Sequence, residues 1–190
     1  MDIFNKKIIL ASKSPRRAQL LSEAGFNFEI RTKEVEENFP PTMPIDEVPI
    51  FLAKKKAHSM HAEIEGEEII LAADSIVALG QKIYGKPKDE EEAISVLKQL
   101  SGKKHRVITG VCLLSRAKEK CFAGVSNVYL AELSEEEIQY YVRKYQPYDK
   151  AGSYAIQEWI GLCKVNKIEG TFSNIMGLPM EMVYAAFRDF

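Results

Sequence analysis

Apolar residues recur along this chain at two spacings, and the two alternate. Lys7–Ala11 (KIILA) is a short unbroken apolar run, which predicts a buried strand. Ala18, Leu20, Leu21 and Ala24 then recur at helical spacing. Pro15 suits the first turn of that helix, Ser14 is a candidate cap, and Gly25 ends the stripe. A second helix is predicted from a cap at Asp46 to about Ala62, and Glu68–Leu79 reads as a buried strand interrupted by the polar pair Asp74-Ser75. Asp89 is expected to cap a helix that turns Ala93, Val96, Leu97 and Leu100 to one face and stops at Gly102. Two long strands follow, His105–Leu114 and Cys121–Ala131. Ser134 with Glu137 forms a capping box opening a helix to about Lys144. Trp159–Ile168 reads as a further strand or hairpin, and Pro179 opens a final helix. The alternation gives an α/β class, and the two adjacent long strands call for a mixed sheet rather than a wholly parallel one.

Composition narrows this picture without changing it. A chain of 190 residues can form one sizeable domain, or one core with two lobes. With 46% apolar and 28% charged residues it reads as an ordinary folded protein. A net charge of −1 argues against a general nucleic-acid coat, while leaving room for a local basic pocket. Cys112, Cys121 and Cys163 are odd in number and form no CxxC, which fits a reducing compartment without a disulfide framework or a zinc knuckle. The first residues carry no long apolar leader, and no apolar run approaches membrane-spanning length. A soluble cytoplasmic domain is expected. The nearest thing to a linker is Asn38–Pro44 (NFPPTMP), whose three prolines make it stiff.

The informative residues are polar ones in apolar places. Asp74 is flanked by Ile69–Ala73 and Ile76–Leu79, and an unpaired buried carboxylate there would cost several kcal/mol, so it calls for a metal, a cation or a proton. Its other reading is a strand-end aspartate accepting backbone N–H groups. Of three consecutive lysines, Lys56 falls inside the arc of Leu52, Ala53, Ala57 and Met60, whereas Lys54 and Lys55 fall outside. Its ammonium can snorkel to solvent or reach an anion. The stretch LASKSPRR, Leu10–Arg17, places Lys13, Arg16 and Arg17 at a helix N-terminus, where free N–H groups already favour anions. The bland alternative is a solvated cap with surface cations. Lys86 lies on a Gly-Pro loop (YGKPKD), Glu36 and Glu37 are adjacent carboxylates, and Gln157 ends the small-residue stretch YDKAGSYAIQ. A glutamine amide both donates and accepts, so Gln157 can read a nucleobase edge or serve structure. His58 and His61 read as ordinary surface residues, and there is no Walker A loop, GxGxxG or GxSxG.

Taken together these segments resemble the Maf family of nucleoside triphosphate pyrophosphatases. The matching motifs, in order, are LASKSPRR at 10–17, EE at 36–37, AKKKA at 53–57, AADSIV at 72–77 and GKPKDEEEAISVLKQLSGKKHRVITGV at 85–111. DKAGSYAIQ at 149–157 and IMGLP at 175–179 complete the set. The resemblance implies a single Maf-like domain over residues 1–190, with two lobes around a cleft and the fold of the inosine-triphosphatase group. It implies hydrolysis of a nucleoside triphosphate to the monophosphate and pyrophosphate with a divalent metal, Mg²⁺ or Mn²⁺. Carried over by residue, it makes Ser12, Ser14 and Arg17 phosphate-binding, with Lys56 and Lys86 reaching the same anion. Glu37 and Asp74 would handle the metal and the attacking water, with Asp74 as proton acceptor. Arg16, Ser75 and Gln157 would be specificity positions. DKAGSYAIQ is similar to the branch acting on dTTP and UTP; because the Gln157 amide can flip and pair with the reversed edge of cytosine, CTP or modified pyrimidine nucleotides are expected as secondary substrates. Two departures stand out: Ala155 and Glu158 occupy positions where that branch often has glycines, and Ser75 stands where it usually has Thr. The alternatives are a nucleotide-binding regulator of septum formation, or a pyrophosphatase for 7-methyl-GTP or deaminated purine triphosphates. No nucleic-acid or membrane partner is implied, and a homodimer is left open.

Overall fold

The computed structural model describes residues 2–190. In chain order the regular elements are β1 (Ile8–Leu10), α1 (Pro15–Glu23), β2 (Phe28–Ile30), α2 (Val48–Ser59), β3 (Ile69–Leu79), β4 (Lys82–Tyr84) and α3 (Glu90–Leu100). They continue with β5 (Lys104–Leu114), β6 (Glu119–Leu130), α4 (Glu135–Tyr145), α5 (Trp159–Cys163), β7 (Val165–Glu169), α6 (Phe172–Met176) and α7 (Met180–Arg188). One sheet takes the strand order β2-β1-β3-β5-β6-β7, with β4 paired to β3. It is mixed as expected: β1 runs parallel to β2 and β3, while β3–β4 and β6–β7 are antiparallel. Among the described residues no helix is long and apolar enough to cross a membrane.

The chain forms two compact units. The first contains the residues up to Asp74, Thr109–Gly124 and Gly177–Phe190. Its core gathers Ile9, Ala53, Ala57, Met60, Ile70 and Cys112, so the alanines of α2 face the strands as the helical arc predicts. The backbone approach is close. A Cβ on Gly110 of β5 would lie 2.2 Å from the Pro49 carbonyl carbon, so only glycine admits the start of α2 there. The Phe26 ring joins Phe4 and Phe187 at centroid distances of 5.4 and 5.5 Å, fastening α7 to the first residues.

The second unit contains Ser75–Ile108 and Val125–Met176. Leu97 and Leu100 of α3, Tyr141 of α4, Val128 of β6 and Ile160 of α5 meet in its core. The two helix caps read from the sequence in this unit are present: Asp89 Oδ1 accepts the Glu92 N–H at 2.8 Å, and Ser134 with Glu137 forms the capping box.

Two elements differ from expectation. Asp46 does not cap α2, because a turn closed by the Glu47 N–H on the Pro44 carbonyl (2.9 Å) absorbs it. Glu47 stands at the cap position with no side-chain cap bond, and the helix ends at Ser59 before a 3₁₀ turn, His61–Glu63. Trp159–Cys163 is a helical turn rather than a strand, and only Val165–Glu169 pairs with β6. Ile160 is fully buried while Leu162 is 76% exposed, which two residues on the same face of one strand would not show.

Candidate functional site

In the first unit the site is built from the N-terminus of α1. Ser14 takes the cap position in extended backbone and Pro15 begins the helix, but the Ser14 side chain makes no capping hydrogen bond. Ser12 is buried, and its Oγ accepts both the Ser14 N–H at 3.3 Å and Arg17 Nη1 at 3.0 Å. Arg17 Nε donates to the Gly177 carbonyl oxygen at 2.9 Å, so the guanidinium is held from two sides. Burial pulls Arg17 below its ordinary pKa, and the like charge of Arg16 adds to that pull, while Asp74 and Glu37 oppose it. Two neighbouring guanidiniums at a helix N-terminus favour an anion.

The three consecutive lysines of α2 reach four different partners. Lys54 Nζ reaches Glu119 Oε1 at 2.6 Å, and Lys55 bonds Asn38, whose amide in turn donates to Glu36 at 3.0 Å. Lys56 turns inward, as its place on the arc suggests, and joins Glu37 Oε1 at 2.7 Å and Asp74 Oδ1 at 2.5 Å. The Pro-rich connection is thereby tied to α2 through residues 36–38. Asp74 is a buried carboxylate, and Lys56 supplies the cation that its setting demands. Glu37 is half exposed, with 49% of its side chain in solvent. Two carboxylates thus converge on one positive charge, with Arg17 close enough for both to act on it.

In the second unit Ser75 follows Asp74 along β3 and is half-buried. Lys86 is exposed on the loop after β4, and that loop is fixed where the Gly152 N–H donates to the Gly85 carbonyl at 3.1 Å. Gly152 has φ +73°, and a Cβ there would lie 2.8 Å from Val77 Cγ2, so the AADSIV and DKAGSYAIQ motifs meet at this glycine. Beyond it, Ser153 is fully buried with φ +62°, uncommon for a residue with a side chain. Its Oγ and the Gln157 Oε1 are buried without a hydrogen-bond partner. A buried acceptor left open is costly unless a ligand completes it. The residues that depart from the motif, Ala155 and Glu158, meet on one group: the Tyr141 hydroxyl donates to Glu158 and accepts the Ala155 N–H. Burial and Glu158 push the Tyr141 hydroxyl well above its usual pKa. Lys150 neutralises Glu158 at 3.4 Å and Asp149 at 2.7 Å.

The structure therefore joins Ser12 to Arg17 and Lys56 to Glu37 and Asp74 within the first unit, and carries Ser75, Lys86 and Gln157 on the second. Sequence reasoning missed Ser153 and the Gly177 carbonyl. Both lie inside quoted motifs, yet a backbone oxygen and a serine in left-handed conformation leave no signal in residue type.

A family model described as Maf-like protein matches residues 7–190. The chain belongs to the Maf family. It is 48% identical over 183 residues to a dTTP/UTP pyrophosphatase of Bacteroides fragilis, covering 96% of this chain and 95% of that one. A dTTP/UTP pyrophosphatase of Porphyromonas gingivalis is 43% identical over 187 residues, covering 97% and 94%. Among solved structures, a HAM1 protein from Coxiella burnetii superposes with a TM-score of 0.52 at 16% identity, covering 97% of this Maf chain and 100% of that chain. That likeness bears out the expected fold and speaks to the fold alone.

Proposed function

We propose that this Maf protein, acting as a single Maf-like domain, hydrolyses dTTP and UTP to the monophosphate and pyrophosphate. The observation that carries the reading is the convergence of Glu37 and Asp74 on Lys56, with Arg17 under the influence of both carboxylates. Its relatives named dTTP/UTP pyrophosphatase support the substrate class.

Arg17, fixed by Ser12 and Gly177, presents a rigid fork to phosphate oxygens, and the N–H groups at the start of α1 add to it. Arg16, Lys56 and Lys86 supply further positive charge against a triphosphate carrying about four negative charges near neutral pH. Asp74, on a buried strand, is the proton acceptor for the water that attacks the α-phosphorus. The water's oxygen bonds to that phosphorus, the bond to the bridging oxygen breaks, and pyrophosphate leaves. The paired carboxylate oxygens of Glu37 and Asp74 are hard donors that fit Mg²⁺ or Mn²⁺. When bound there, the ion would neutralise phosphate oxygens and lower the pKa of the water. Ser14 adds a hydroxyl at the phosphate end. Gln157, with Ser153 and Ser75, reads the base: the amide accepts from N3–H and donates to a neighbouring carbonyl of uracil or thymine.

The test is pyrophosphate release from a panel of dTTP, UTP, CTP, ITP and 7-methyl-GTP with Mg²⁺ or Mn²⁺. Preference for dTTP and UTP supports the assignment, and preference for ITP or 7-methyl-GTP overturns it.

A further inference from the structure

Away from the carboxylate pair, the first unit carries a second group of potential ligands. Cys112 on β5 and Cys121 on β6 flank the hairpin turn closed by the Ser115 N–H on the Lys118 carbonyl at 2.9 Å. Counting three residues back along each strand from that pair places the two cysteines opposite each other. Glu119 is two residues before Cys121 and so shares its face. The two sulfurs and a Glu119 carboxylate oxygen all lie within 4.8 Å of one another. Cys112 is fully buried in the core cluster, Cys121 packs against that cluster from its partly exposed edge, and Glu119 opens to solvent. On the facing side of α2, the His58 Nε2 already bonds Glu119 Oε2.

We propose that Cys112, Cys121, Glu119 and His58 form a tetrahedral site for a borderline-soft divalent ion of the Zn²⁺ type, clamping α2 to the β5–β6 hairpin. Two thiolates, an imidazole and a carboxylate make a donor set suited to Zn²⁺, unlike the oxygen-only pair Glu37 and Asp74. Zn–S bonds of about 2.3 Å put two sulfurs of a tetrahedron roughly 3.8 Å apart, so Cys112, Cys121 and Glu119 need to close by at most about 1 Å, while His58 would swing in from its contact with Glu119. The charges match as well. Two thiolates and one carboxylate offset the ion to leave one negative charge, and Lys54, 2.6 Å from Glu119, neutralises it. Binding displaces one proton from each thiol. His58 is two residues from Lys56, so the clamp would steady the helix that carries the Glu37–Asp74 cation.

The experiment uses the full chain, reduced and stripped with a chelator, titrated with Co²⁺ and separately with Zn²⁺. One equivalent of Co²⁺ giving thiolate-to-cobalt charge-transfer absorption is expected, and it should persist in the Glu37→Gln, Asp74→Asn double variant. Cys121→Ser, at the partly exposed position, should abolish the absorption, and Glu119→Gln and His58→Gln should each weaken binding at least tenfold. Zn²⁺ should raise the melting temperature by several degrees and slow alkylation of the partly exposed Cys121 more than tenfold, with the exposed Cys163 alkylated at an unchanged rate. The proposal is overturned if no such absorption develops, if it survives Cys121→Ser, or if Zn²⁺ leaves Cys121 as reactive as before. Formation of a Cys112–Cys121 disulfide in air, with no metal uptake under reductant, would also overturn it.

Discussion

Asp74→Asn separates chemistry from architecture, because the amide keeps the shape and removes the charge. The wild-type carboxylate is 11% exposed and holds Lys56 at 2.5 Å, but Lys56 keeps a second partner in Glu37 at 2.7 Å. Breaking a fully buried ion pair costs about 3–5 kcal/mol, and the surviving half-exposed partner reduces that to about 1–3 kcal/mol. At roughly 2–4 °C per kcal/mol for a chain of this size, the melting temperature should fall by about 2–12 °C. Loss of the proposed proton acceptor should lower kcat at least 10³-fold, about 4 kcal/mol in the barrier. Binding should move the other way. An anion that opposes phosphate is gone while Arg17 and Lys56 remain, so the affinity for UTP should be unchanged within about threefold or tighter. The assay is single-turnover pyrophosphate release beside calorimetric UTP binding and a melting curve at each metal concentration. Turnover within a few-fold of wild type would refute a catalytic Asp74, as would an affinity that collapses in parallel with turnover.

Arg17→Ala should weaken UTP binding far more than UMP binding by calorimetry, since the β- and γ-phosphates carry most of the charge it faces; equal weakening would place it elsewhere. Gln157→Glu replaces an open acceptor that can also donate with one that only accepts, so kcat/KM for dTTP and UTP should fall about 10²-fold or more with the melting temperature nearly unchanged. Retained activity would make Gln157 structural. Burial pulls His105, bonded through Nε2 to the Tyr154 hydroxyl at 2.7 Å, down from 6.5 to about 4. Between those pH values the unfolded chain binds a proton that the native chain excludes, so stability should fall with pH across this window, by up to about 3 kcal/mol at its acid end. Denaturant titrations of His105→Gln should show a flatter pH profile than wild type, and an identical slope would remove His105 as the cause.

Much of the candidate site was legible because its residues are chemically out of place. Asp74 stood in an apolar run and Lys56 in an apolar arc, and the two are bonded to each other. Both caps that held, Asp89 and Ser134, satisfy a rule acting over three residues, whereas Asp46 was overruled by a proline turn just before it. Trp159–Cys163 failed for another reason: five nearly continuous apolar residues suit either element, and only packing of Ile160 decides. The pairing of Cys112 with Cys121 needed the hairpin register. A nine-residue separation in sequence says nothing until the turn at Ser115–Lys118 is fixed.

The central claim is attack of water on the α-phosphorus of UTP, and hydrolysis in ¹⁸O-labelled water tests it most directly. One labelled oxygen should appear in UMP, with unlabelled pyrophosphate as the sole other product. Label in inorganic phosphate or pyrophosphate, or accumulation of UDP, would contradict the account.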